Sequence, residues 1–548
     1  MGDEGTWAKR LEEVVNLEEP LGPPQTESLV DMDPEVFRKL YDETNKIHQQ
    51  TRTDNPFFIV GRKGAGKTAF LLGTAFSDNA DVVLIRSEDV YTEVNKLCAR
   101  YEDSNGAVVA DTLVHVWEVL LYHAAMLEVI KSDRLPNSAA RQHLWSYMSA
   151  FGEPDDIAPD SLLASVGARI TEVLVTAPLG KSFREVCWSI DPGRGSFSEA
   201  AAWTSQILES AGPKAVYVVV DNLEDLHKKL DEFADVVTAL FRLVSRSRAG
   251  REGQGLPFRV RFAFPAELLS RLRYLAANPE KDFRRPLIIR WTASELIVVA
   301  GHRLRTFLDI YFPSAPKRLG LPSRHDPTDR EAADKTLRAV LPDTVTNGLG
   351  FAEDPVAYLL RHTQLLPRHL IIILNEIMSD AVAGLGGDDT PRATGGQVVR
   401  GVHNAERVIV DGILATYSFE YPKVGDAFDM IKNHISVVER ASQLHKVFNS
   451  ASVARAGLSF DEFLDACLAV GALGVVNDQD PEGRYVQGEF SYTFAGEVRP
   501  VEDRDKLCVH PLFVSRLFDH HALETLVRSG TRAIYPYGSD PSHVEYDV

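Results

Sequence analysis

Residues 61–68 read Gly-Arg-Lys-Gly-Ala-Gly-Lys-Thr, the spacing GxxxxGK[ST], and follow directly on the apolar run Phe57-Phe58-Ile59-Val60. Three glycines in that order let successive backbone N–H groups curl round a β-phosphate. A lysine at the seventh place reaches the β- and γ-oxygens, and the hydroxyl after it ligates Mg²⁺. A helix starting at Ala69-Phe70-Leu71-Leu72 turns the positive end of its dipole towards the same anion. Strand, loop, Lys-Thr and helix arrive in the order a phosphate loop requires. Gly61, Arg62, Lys63, Gly64, Ala65, Gly66, Lys67, Thr68 and Ala69 are therefore the expected cradle of a nucleoside triphosphate with Mg²⁺. Adenine is favoured over guanine, because no Asn/Thr-Lys-x-Asp motif follows the core strands.

A phosphate loop needs a second carboxylate at the end of a neighbouring buried strand, holding Mg²⁺ through water. Val216-Tyr217-Val218-Val219-Val220-Asp221 supplies it, so Thr68 and Asp221 are the expected metal pair and Lys67 and Asp221 part of the catalytic set. Hydrolysis also needs a group that positions water. Glu224 is the first choice and Asp225 the second, with solvated capping acids as the plain alternative for both.

These residues need a sheet to hold them. Short apolar runs at Phe57 to Val60, Val82 to Ile85, Val216 to Val220, Phe258 to Phe264 and Leu287 to Trp291 alternate with helical stretches. That alternation predicts an α/β fold, a parallel P-loop sheet with flanking crossover helices. About 125 residues separate the second and third strands, far more than one crossover uses, so a helical insertion over about 88–212 is expected. Within it, Leu113, Val116, Trp117, Leu120, Leu121 and Leu127 mark a buried helix over Val108 to Ile130.

The remaining chain predicts an N-terminal arm over 1–50, lying on a core of 51–295, with helices at Trp7 to Val15 and Asp33 to Ile47. A helical lid over 296–420 is expected, with helices at Ala293 to Tyr311, Val356 to Val382 and Gln397 to Thr416. Within a last domain expected over 421–548, residues 426–494 read helix, helix, helix, strand, turn, strand. The stretches are Asp426 to Val438, Ala441 to Phe448, Ser459 to Val470, Val475 to Val476 and Tyr485 to Phe494, the order of a winged-helix-like domain.

Taken together, Gly61 to Thr68, Val216 to Asp225, Phe258 to Phe264, and Leu287 to Trp291 with Arg303 and Arg305 beyond resemble the AAA+/STAND branch of P-loop ATPases over about residues 50–420. The acids Glu224 and Asp225, a short step after Asp221, resemble the STAND pattern. Many oligomeric AAA+ enzymes instead carry a Glu where this chain has Asn222. Leu366-Pro367-Arg368-His369-Leu370 is similar to the segment that places a lid arginine on the nucleotide, and Arg284 and Arg285 stand where AAA+ proteins place an arginine finger. Phe264-Pro265-Ala266-Glu267 lacks the usual polar sensor residue, which with Asn222 implies slow turnover. The resemblance implies an ATPase switch of the bacterial STAND kind, forming a homo-oligomer and signalling to a protein partner, as in antiviral defence. Its alternative is a DNA-associated AAA+ ATPase similar to origin-recognition or transposition regulators.

Charge bears on that choice. The 548 residues sum to a net charge of −19, so attraction to DNA or to an anionic membrane is not built into the chain as a whole. In the winged-helix-like domain the third helix carries Asp461, Glu462 and Asp465, and Asp478, Asp480 and Glu482 follow, all repelling phosphate. The local basic stretch is Arg242, Arg246, Arg248 and Arg251 with Gly250, Gly253 and Gly255, expected as a loop able to track a nucleic-acid backbone. Cys98, Cys187, Cys467 and Cys508 lack metal or disulfide spacing, and the pair His520-His521 lacks helical ligand spacing. An acidic start without an apolar stretch, and no apolar run judged long enough to span a bilayer, lead to the expectation of a cytoplasmic protein with no membrane partner.

Overall fold

The computed structural model describes residues 4–26, 34–43, 45–54, 56–85, 110–176, 183–211, 215–221, 234–249, 256–266, 286–322, 329–348, 350, 352–418, 420–450, 457–479, 485–490, 500–519, 521–523, 525 and 533–539. It divides into two compact units. One comprises Lys46–Arg62 and Lys67–Ile289, the other Met1–Asn45, Lys63–Gly66 and Arg290–Val548.

The first of these is built on five strands: β1 (Phe58–Gly61), β2 (Asp81–Ile85), β3 (Val216–Val220), β4 (Arg259–Pro265) and β5 (Leu287–Ile288). Their order is β2-β3-β4-β1-β5 and all four pairings are parallel. The protein thus has the α/β fold of a P-loop parallel sheet with flanking helices. β1 and β3 are buried along their whole length, which is why they read as unbroken apolar runs rather than alternating ones. β4 stands between them, so Gly61 and Asp221 lie at the carboxyl edge of the sheet two strand positions apart. β5 is shorter than the expected Leu287 to Trp291. The Ile289 N–H still reaches the Val60 carbonyl at 2.7 Å, after which the chain leaves for the helix capped by Thr292.

The insertion is helical where described, with helices Ala110–Lys131, Ala139–Met148, Pro159–Thr176, Phe183–Trp188 and Phe197–Ala211. All six apolar residues expected on the first of them are buried, Trp117 fully. One expectation is corrected here. Leu113–Lys131 is, by length and composition, long and apolar enough to cross a membrane, and 83% of its most apolar stretch is buried inside the fold. The helix is hydrophobic all round because other helices and the sheet surround it. His123 on this helix is fully buried, stacks on Phe197 and bonds the Val119 carbonyl at 2.8 Å and the Tyr147 hydroxyl at 3.0 Å. Burial lowers its pKa to about 4, so the ring is neutral at pH 7. A second correction concerns the basic stretch. Arg242, Arg246 and Arg248 belong to the helix Ala234–Ala249, held by buried Val237, Leu240, Phe241 and Leu243, and not to a loop. Gly250, Arg251, Gly253 and Gly255 lie outside the described residues.

In the other unit the arm forms helices Glu4–Val14 and Pro34–Leu40. The chain breaks before a separate helix, Lys46–Asp54, where one helix to Ile47 was expected. Arm backbone is tied down by side chains from later in the unit. Asn375 accepts from the Leu21 N–H at 2.7 Å and donates to the Gly22 carbonyl at 3.0 Å, and Arg303 donates to the Leu21 and Pro23 carbonyls at 3.1 and 3.2 Å. Arg305 bonds Asp309 and the Pro322 carbonyl, each at 2.9 Å. Helix Ala293–Tyr311 comes so close to helix Arg330–Val340 that a Cβ on Gly301 would lie 2.5 Å from the Ala333 carbonyl oxygen. The expected helix Val356 to Val382 is two helices, Pro355–Arg361 and Pro367–Val382. Pro367 starts the second, and Leu365 at φ +51° makes the corner.

Two short strands, β6 (Val345–Thr346) and β7 (Ala352–Glu353), pair antiparallel ahead of these helices. Beyond helix Gly395–Tyr417, helix Val424–Ile431 ends seven residues before the expected Val438, which instead opens β8 (Val438–Arg440). Helices Ala441–Ser450 and Phe460–Ala469 follow, then β9 (Leu473–Gln479), β10 (Tyr485–Glu489), β11 (Lys506–Val509), helix Pro511–Leu517 and β12 (Ala533–Pro536). The sheet runs β12-β10-β9-β11-β8. β9 and β10 form the expected antiparallel pair, while β11 lies between β9 and β8.

Two buried polar groups fasten this part. Arg361 holds Glu353 by a two-pronged pair at 2.8 and 2.9 Å, and Tyr535 and Asn347 also donate to that carboxylate. Next to it, His362 Nδ1 meets Glu406 at 2.6 Å and the Ser515 hydroxyl donates to Glu406 at 2.6 Å. Burial pushes the Glu406 pKa up to about 8 and drives that of His362 well below its ordinary value. The pair is therefore a neutral acid facing a neutral imidazole at pH 7, not an ion pair.

Candidate functional site

β1 ends at Gly61, and the helix Lys67–Ser77 opens with the two residues expected to do chemistry. Between them Gly64 and Gly66 adopt φ of +84° and +83°, a left-handed conformation that only glycine takes without strain. Alternating left-handed glycines are the backbone pattern that lets a loop's N–H groups line an anion site before a helix. Lys67 is buried and its ammonium donates to the Arg62 carbonyl at 3.3 Å, which folds the side chain back over the loop.

Thr68 and Asp221, 153 positions apart in sequence, meet: the Thr68 hydroxyl donates to Asp221 Oδ2. Asp221 is buried directly after β3, and its own N–H is fixed by the Ile85 carbonyl at 2.9 Å. The two expected metal ligands, one hydroxyl and one carboxylate, are thus side by side. They are hard oxygen donors, the class Mg²⁺ takes, and two protein ligands leave room for water and phosphate oxygens.

The tip of the loop, Lys63–Gly66, groups with the unit that contains Arg290–Val548. Within that unit Arg368, in the first turn of helix Pro367–Val382, lies against Gly64. A Cβ on Gly64 would stand 3.0 Å from Arg368 Cβ and 3.2 Å from its Cδ. Arg368 Nε is buried without a hydrogen-bond partner among the described residues. An orphaned guanidinium N–H beside the loop is what an anionic ligand would satisfy. Trp291, read from sequence as the end of a strand, also belongs here, since its indole N–H donates to the Ala65 carbonyl at 2.9 Å. No sequence pattern flags a tryptophan for that task. Its place directly after the last apolar strand was the only signal.

Asn222, Glu224, Asp225, Glu267, Arg284, Arg285, Cys98, Asp480, Glu482 and His520 lie outside the described residues. Among the described residues no group of three or more His, Cys, Asp or Glu is arranged to hold a metal ion by itself. Asp461, Glu462 and Asp465 are exposed on helix Phe460–Ala469, and the Ser459 cap lowers the Glu462 pKa, keeping it ionised.

Neither a protein-family model nor a curated protein matches the chain. Among solved structures it is similar to the Aeropyrum pernix ORC2 protein in its ADPNP–ADP complexes, with 11% identity and a TM-score of 0.36 over 90% of this chain and 98% of that one. It is also similar to the Walker-type ATPase paby2304 of Pyrococcus abyssi, with 11% identity and a TM-score of 0.34 over 87% and 95%. At such scores the reading of the site rests on this chain's own sheet and loop.

Proposed function

We propose that the protein binds ATP with Mg²⁺ and hydrolyses it slowly, as a STAND-like switch that self-associates or signals to a protein partner. The observation that carries the reading is the contact of Thr68 with Asp221 at the edge of a parallel sheet in which β1, two positions from β3, feeds a glycine loop and Lys67. Thr68 and Asp221 would hold Mg²⁺, which supplies charge neutralisation between the β- and γ-phosphates. Lys67 and the loop's N–H groups would hold the phosphates, and Arg368 is proposed as a further nucleotide-binding residue. Glu224, with Asp225 behind it, is proposed to orient the attacking water, and Arg284 or Arg285 to serve a neighbouring subunit.

Protein rather than DNA is the favoured partner, because the exposed helix Phe460–Ala469 presents Asp461, Glu462 and Asp465 on the module that would have to approach phosphate. A cytoplasmic setting accompanies this reading. The test is nucleotide binding, phosphate release and particle mass on one sample, comparing wild type with Lys67→Ala and Asp221→Asn, with and without ATP-Mg²⁺ and duplex DNA. Slow release lost in both variants, with an ATP-dependent rise in mass that ignores DNA, is expected. DNA-stimulated turnover would move the protein to the origin-recognition-like alternative, and no nucleotide binding by wild type would end the proposal.

A further inference from the structure

The loop's tip has glycines on both sides of one alanine, and that creates a problem the structure solves with Trp291. In a trans peptide the carbonyl and the next N–H point in opposite directions. The peptide joining Ala65 to Gly66 therefore offers an inbound phosphate either its N–H or its carbonyl oxygen, one attractive and one repulsive. Gly66, at φ +83° on the far side of that peptide, presents no Cβ to oppose a flip between the two. Ala65 is 1% exposed, so water does not decide the orientation either. What decides it is the indole N–H of Trp291, 2.9 Å from the Ala65 carbonyl oxygen.

Trp291 is itself well placed to impose a direction. It directly precedes Thr292, the N-cap of helix Ala293–Tyr311, where a reciprocal capping box joins the Thr292 side chain to the Glu295 N–H at 3.3 Å and Glu295 to the Thr292 N–H at 2.9 Å. The indole is partly buried, and the backbone that carries it runs straight into that cap. We infer that Trp291 is a positioning residue for phosphate recognition: by holding the Ala65 carbonyl outward it presents the Gly66 N–H to the phosphate. The inference rests on the nucleotide-binding reading above and names a residue by which that site is kept in its receptive form.

Trp291→Phe keeps an aromatic ring and deletes the donor. In the full chain, ADP is expected to bind about three- to tenfold more weakly, the range that one hydrogen bond is worth, while adenosine, which has no phosphate, binds as to wild type. A purely packing role would instead weaken both ligands alike or neither, and either result overturns the inference. Lys67→Ala in the same titration separates the two levels of argument. If wild type and Lys67→Ala bind ADP equally, the nucleotide reading fails. If they differ while Trp291→Phe matches wild type, only the role of Trp291 fails. Should Trp291→Phe show no melting transition, protein carrying benzothienylalanine at 291, of the same ring shape but without the N–H, must give the same selective loss for ADP. An unchanged affinity there overturns the inference.

Discussion

Gly64→Ala is the sharpest single probe of the loop. Gly64 sits at φ +84°, where an L-residue with a Cβ costs about 1–2 kcal/mol. The new methyl would also stand 3.0 Å from Arg368 Cβ, tighter than ordinary packing allows, so the arginine must give way as well. If the loop has to hold this conformation to receive phosphates, the backbone term alone weakens ADP binding about 5- to 30-fold. Displacement of Arg368 adds to it. Gly320→Ala is the matched control: its φ is +66° and, among the described residues, nothing lies within 4 Å of the added Cβ. It should lose about 1 kcal/mol of stability by the same backbone strain and leave ADP affinity untouched. Titration of ADP by calorimetry, with urea unfolding of each variant, reads both quantities. Gly64→Ala with wild-type affinity and wild-type stability would refute the reasoning, because the strain would have to be absent from both states.

Other outcomes follow from the core. The His123 ring is lowered from 6.5 to about 4 by burial, so between those pH values the unfolded chain takes up a proton that the folded one refuses; stability should fall as pH drops through that window, by about 3 kcal/mol at pH 4. Urea unfolding of wild type minus His123→Leu isolates the slope. Glu406 behaves in the opposite sense, since its raised value of about 8 means the folded state holds a proton from pH 4.5 upward that the unfolded state has lost. Stability should decline as pH rises to 8, by on the order of 4 kcal/mol, and Glu406→Gln should flatten that decline. Gly301→Ala drives a Cβ to 2.5 Å from the Ala333 carbonyl oxygen and 2.7 Å from its Cα, backbone atoms that cannot rotate away, so it should cost about 1–3 kcal/mol in the same unfolding assay.

Phe58 to Thr68 and Val216 to Asp221 were legible in sequence because a fully buried strand and a glycine loop each leave a pattern in adjacent residues. The strand order was not. Nothing local to β1 says that its neighbours are β4 and β5, as pairing across a sheet depends on twist and crossover rather than on composition. Short strands escaped for a related reason. Val438–Arg440 and Lys506–Val509 are three and four residues long, too few for a period of two to separate them from loop or helix end. Leu365 shows how a corner hides: a branched residue at φ +51° breaks a helix that the apolar spacing on both sides would have continued, and only Pro367 hints at it. In the candidate site the pairing of Thr68 with Asp221 was readable from the motif and Arg368 from the resemblance, while the residues each would touch in the loop were not. Trp291 touches Ala65 across more than 200 positions, and Arg368 reaches Gly64 across about 300.

The strand order also sets a timetable. β1 is an interior strand whose partner residues are as distant as Phe58 and Phe262. At about 5–20 residues per second on the ribosome, both its edges wait roughly 10–40 s for β4 and β5 to be made. During the same interval the helix Ala110–Lys131 emerges, apolar on every side, ahead of the strand β3 and helix Ala234–Ala249 that enclose it. The nascent chain thus displays an open strand and a membrane-like helix together before either has its cover. Slowing translation between residues 131 and 259 should therefore raise its aggregation and its recovery in the membrane fraction without changing a single residue.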